Sequence, residues 1–112
     1  MGELEAAIRN HPEFNSISEK VSGDVTGILT SRGEKAVKSI NDKLTDFSIE
    51  LLRGLQSEDT EKIRRLVVEA TLFLEAFNGY AGRVKREYPS SFGTFDDYYT
   101  IAVKWVYGIE LP

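Results

Sequence analysis

Val37, Ile40, Leu44, Phe47 and Leu51 step through the middle of the chain at intervals of three, four, three and four residues. An α-helix stacks that spacing on one side, whereas a strand turns every second side chain inward. The seam predicts a helix from about Glu34 to Arg53, with Gly54 as its stop. Lys35 and Lys38 fall off the seam and belong to a solvated face. A helix with one apolar stripe needs neighbours to cover it, so the rest of the chain is read for those neighbours.

Every other segment also has helical spacing. Leu4, Ala7 and Ile8 mark a short first helix that stops by His11-Pro12, because proline disfavours helical geometry in the residue before it. Phe14, Ile17, Val21, Val25 and Ile28 mark a second helix over 14–31. Its Ser, Thr and Gly content makes it the weakest, and its continuity through Ser22-Gly23-Asp24 is open. Gly23 and Gly27 lie opposite its apolar side. Ser57 is an expected N-cap, followed by acidic residues suited to a positive helix end, and Pro89 is an expected stop. Between them the pattern predicts one long helix over about 58–88, with Ile63, Leu66, Val67, Ala70, Phe73, Leu74, Phe77, Ala81, Val84 and Tyr88 as its main face. Thr94 followed by Asp97 reads as the start of a last helix, about Phe95 to Tyr107, with Gly108 as its end. The expected architecture is all-α: a single domain over 1–112, a compact and roughly antiparallel bundle of about five helices, with helix 58–88 as its central post.

Composition removes several functions. The chain has no cysteine, which excludes disulfides, thiolate metal sites and a cysteine nucleophile. His11 is the single histidine and sits in a helix-breaking turn as a cap or surface residue. Ser90-Ser91 has no G-x-S-x-G frame, Asp96-Asp97 reads as helix capping, and no phosphate-loop or dinucleotide glycine pattern occurs. Gly79-Tyr80-Ala81-Gly82 reads as a kink or close-packing site. No catalytic residue, metal ligand, cofactor or small-molecule ligand is therefore expected. The segment "MGELEA" carries Glu3 and Glu5 where a secretory leader would carry Lys or Arg, and no apolar run approaches the ~20 residues that span a bilayer. The expected location is cytoplasmic, with no membrane partner.

Two surfaces remain as candidates. Helix 58–88 has a second stripe about 180° from its main face: Arg65, Val68, Leu72, Ala76 and Gly79, with arginine again at Arg83 and Arg86. The tail supplies more. Seven of the twelve aromatic residues lie between 87 and 112. Tyr98 and Trp105 read as a lid over the core. Phe92, Tyr99 and Tyr107 are surplus to one face and so are candidates for a protein interface. The rival surface is basic: Lys62, Arg64, Arg65, Arg83, Lys85 and Arg86, with Tyr80 as a stacking platform for a nucleic acid. A net charge of −4 disfavours that second reading, because phosphate neutralisation supplies most of the affinity. The expected function is thus a non-enzymatic interaction module, a small subunit or adaptor that binds a protein partner or further copies of itself. The alternative is a helical subunit of a ribonucleoprotein or DNA-processing complex.

Overall fold

A computed structural model describes residues 2–111 and contains α-helices and short connections among them. Helix α1 spans Glu3–Arg9, α2 Phe14–Leu29, α3 Gly33–Ser57, α4 Thr60–Ala76, α5 Ala81–Glu87 and α6 Pro89–Tyr107, with a 3₁₀ turn at Asn78–Tyr80. The all-α bundle is as expected. The long helix is α3, and its seam is enclosed: Val37, Ile40, Leu44, Phe47 and Leu51 are all buried, while Lys35 and Lys38 are exposed. Helix α2 is continuous through Ser22-Gly23-Asp24, and Gly23 and Gly27 face open space.

Three boundaries differ from expectation, each for a local reason. Gly54 does not end α3. It is buried inside the helix, where a Cβ would lie 2.8 Å from Ile63 Cγ1 of α4. The stop comes at Glu58, whose φ of 54° is left-handed; the N–H groups of Glu58 and Asp59 close back on the carbonyls of Leu55 and Gly54 at 3.4 and 3.0 Å. That is the bond pattern of a Schellman ending, here with glutamate where glycine is usual. Ser57 is consequently the last residue of α3, and Asp59 caps α4 by accepting from the Lys62 N–H at 3.2 Å.

The helix expected over 58–88 is divided. Helix α4 ends at Ala76, a 3₁₀ turn takes up Asn78-Gly79-Tyr80, and the short α5 follows. Asn and Gly are poor helix formers, and a tighter turn satisfies the freed carbonyl of Phe77 through the Tyr80 N–H at 2.8 Å. Pro89 ends α5 and also begins α6. Its missing N–H is harmless in a first turn, and Tyr88 before it is out of helical geometry at φ −133°, ψ 58°. Thr94 is therefore inside α6, where its hydroxyl donates to the Ser90 carbonyl at 2.9 Å.

Helix α4 keeps the central place, packing against α2, α3 and α6. It runs antiparallel to α3, as the pairs Lys62–Glu50 and Phe73–Phe47 require, and antiparallel to α6, where Thr71 meets Tyr99 and the earlier Arg64 lies by the later Tyr107. Helix α2 runs in the same sense as α4, through Glu13–Arg65 and Lys20–Glu69. The core is an aromatic chain. Phe47 meets Phe73 edge-on at 5.8 Å, Phe73 meets Phe77 at 4.9 Å, and Phe95 stacks on Tyr99 at 5.5 Å. Each geometry is one that aromatic quadrupoles favour.

Candidate interaction surface

The second stripe of α4 is largely covered by the chain itself. Val68 is fully buried, and Leu72 is half-buried, lining a small cavity of about 90 Å³ with Ile8 and Phe14 from α1 and the start of α2. Arg65 is exposed but is held by Glu13 at 2.9 Å. Ala76 and Gly79 are exposed at the end of α4 and in the 3₁₀ turn, past the reach of that cover. The expected continuous stripe is thus interrupted, because α1 and α2 wrap the side of α4 that faces away from α3. A helix apolar all round is being buried all round.

Beside this side of α4 lies the one buried acidic side chain among the described residues. Glu69 is only 6% exposed, and Lys20 of α2 reaches over it at 2.5 Å. Flanking pairs Glu13–Arg65 and Glu50–Lys62 extend the network across α2, α4 and α3. The hydrogen bond from Lys62 is the main cause holding the Glu50 carboxyl below its usual range. These charges act on one another, fixing how α2 and α3 seat on α4.

The expected basic surface is distributed and largely engaged. Lys62 pairs with Glu50, Arg64 with Glu61 at 3.6 Å, Arg65 with Glu13, and Arg83 with Glu87 at 3.3 Å. Lys85 lies over the Phe92 ring at 5.9 Å, and Tyr80 packs edge-on against Phe77. Arg86 is exposed. The break at Asn78–Tyr80 puts the two clusters on separate helices, α4 and α5.

The tail aromatics sort differently from expectation. Tyr99 is buried, its hydroxyl hydrogen-bonded to that of Thr71, and burial pushes its phenol above the usual range. Thr71 itself donates to the Val67 carbonyl at 2.7 Å, so Tyr99 is the donor of the pair. Tyr107 is half-buried beside Arg64 and Glu61 of α4, with its phenol also raised by burial. Phe92 is half-buried under Lys85. Trp105, expected in the lid, is instead 46% exposed, and Ile101 is 52% exposed. The reason is rotational. The apolar arc of α6 is wider than one contact face, and the side that packs inward is Phe95, Tyr99, Ala102, Val103 and Val106.

Ile101 and Trp105 therefore continue a stripe that starts at Thr94 and Tyr98, at spacings of four, three and four. Tyr98 and Thr94 line a groove of about 350 Å³ between α6 and α3, closed on the other side by Thr45, Ser48, Ile49 and Leu52. Ile49 is itself 44% exposed. The groove offers apolar wall and hydroxyls. Those of Ser48, Thr45 and Thr94 already donate to carbonyls within their own helices. Sequence periodicity overlooked this surface, although the excess width of the α6 arc was its signal. Other candidate residues lie apart from it: His11 accepts from the Glu13 N–H at 3.1 Å, and Asp96 and Asp97 stand exposed in mid-helix rather than at a cap. No helix among the described residues is long and apolar enough to cross a membrane. No family model, curated protein or solved structure matches this chain.

Proposed function

We propose that this protein is a non-enzymatic interaction module, a small helical subunit or adaptor that docks through the outer side of α6. One observation carries the reading. Tyr98, Ile101 and Trp105 form a contiguous partly or largely exposed stripe beside the apolar groove of Ile49 and Leu52. Single exposed apolar residues, such as Leu29, are ordinary on any surface, but contiguous ones mark contact sites. Tryptophan and tyrosine are also the residues most often found at the energetic centre of interfaces. The nucleic-acid alternative has weaker support, because four of its six cations are already paired with carboxylates.

The test is an Ile101→Glu variant, which alters an exposed position and should melt as the wild type does. Both proteins are expressed in the native host and purified, and their self-association and co-purifying chains are compared. Association that the variant loses supports docking through α6. Association that the variant retains, or none by the wild type, refutes it.

A further inference from the structure

The outer side of α6 has the layout of a helix that pairs with itself. Taking Tyr98 and Trp105 as one repeated position, Thr94 and Ile101 fall on the complementary position of a seven-residue repeat. The position just before Tyr98 and Trp105 is held by Asp97 and Lys104, seven residues apart and of opposite charge. The other flank, Phe95 and Ala102, faces the core of the same chain. A single charged flank is therefore left to decide what lies alongside.

In an antiparallel pair of identical helices each flank meets its own counterpart. With Tyr98 layered against Ile101 of the other copy, Asp97 falls opposite Lys104 of the other copy, and the two-fold repeats the pair. A parallel pairing would instead set Asp97 and Lys104 against the other flank of the second copy, Phe95 and Ala102, which is already buried in its own core and offers no charge. The same antiparallel register places Trp105 of one copy against Thr94 of the other, at the mouth of the groove lined by Ile49, Leu52 and Tyr98. Asp97 belongs to no ion pair among the described residues, and Lys104 holds only the exposed Glu110, at 3.0 Å. An exposed pair of that kind yields readily to a better-placed carboxylate.

Resting on the docking role of α6, we propose that the surface it fits is a second copy of this chain. The two α6 helices pack antiparallel about a two-fold axis, Asp97 pairs with Lys104 across it, and each Trp105 enters the groove of the other copy.

The experiment uses charge exchange in the full chain, read by sedimentation equilibrium and by the emission of Trp105, the chain's one tryptophan. Wild type should dimerise, with a blue shift of emission as concentration rises. Asp97→Lys and Lys104→Asp should each weaken dimerisation by at least about tenfold, since each sets like charges together twice. The double variant should recover, and an equimolar mixture of the two single variants should form the mixed dimer. Asp97 and Lys104 are both exposed, so circular dichroism should be unchanged. A pure chain that stays monomeric overturns the second-copy inference, while docking through α6 stands or falls separately on the Ile101→Glu comparison. A dimer indifferent to the charge exchange overturns the antiparallel pairing.

Discussion

Gly54→Ala and Gly23→Ala make the same chemical change inside two helices, and the structure gives them opposite signs. Replacing a mid-helix glycine by alanine gains up to about 1 kcal/mol from reduced backbone freedom in the unfolded chain. At Gly23 that gain is all there is, because a new Cβ meets nothing within 4 Å. At Gly54 the Cβ would stand 2.8 Å from Ile63 Cγ1 and 3.6 Å from its Cδ1. Ile63 is fully buried and branched at Cβ, so its χ1 is stiff and its γ carbon cannot swing aside without displacing α4. Overpacking of this sort costs about 1–3 kcal/mol, and the stiffness places Gly54 toward the upper end. The net expectation is a loss of about 1–2 kcal/mol at Gly54 and a gain of up to about 1 kcal/mol at Gly23. Thermal and urea unfolding followed by circular dichroism read both, at roughly 4–8 °C per kcal/mol for a domain near this size. A Gly54→Ala protein that melts above the wild type would refute the close α3–α4 approach, and with it the seating of both helices.

Two further perturbations test the core and its cover. Phe73→Ala removes the ring that contacts both Phe47 and Phe77 and should destabilise by about 3–5 kcal/mol in urea unfolding. A loss below about 1 kcal/mol would mean that the aromatic chain is misassigned. Leu72→Glu sets a carboxylate under α1 and α2, beside Glu5 and Glu75, and should cost about 2–3 kcal/mol, where Ile101→Glu costs close to nothing. Equal melting temperatures for those two variants would contradict the cover over Leu72.

The parts of the fold that could be read from sequence are those where one physical term dominates. The α3 seam is narrow and regular, so its five residues could face only one way, and all five are buried. Element ends were harder because several weak terms compete there. Glu58 in a left-handed conformation costs about 1–2 kcal/mol, and no local rule favours it over Gly54 one turn earlier. What decides the matter is Ile63, a residue nine positions away, whose close approach requires glycine inside the helix rather than after it. The division of α4 from α5 was hidden for a related reason. Phe77, Ala81, Val84 and Tyr88 keep helical intervals across it, although Asn78-Gly79 between them is a weak point. Pro89 likewise signalled a stop correctly, while its equal fitness to begin a helix went unread.

Helices α4 and α6 pose the same puzzle, and the chain resolves it for only one of them. Both are apolar around more than one contact face. Around α4, neighbours close in from every side: α3 and α6 on the main face, α2 along the second stripe, and the α1–α2 turn over Leu72. Charges set the position of that cover, because Glu69 is buried and satisfied only when Lys20 of α2 lies across it, and Glu13, just before α2, meets Arg65 alongside. Removing Lys20 would leave the buried Glu69 carboxylate without its cation, so α2 has one favourable seat. Helix α6 is the last of the helices and receives no such cover on its outer side, where Ile101 and Trp105 remain about half in water. The flank there carries Asp97 and Lys104 at the same heptad position, a pair that cannot satisfy itself along one helix but can across two antiparallel ones. The device that seats α2 on α4 within the chain is apolar contact bordered by opposite charges; α6 carries one half of such a device, and the proposed second α6 would supply the other.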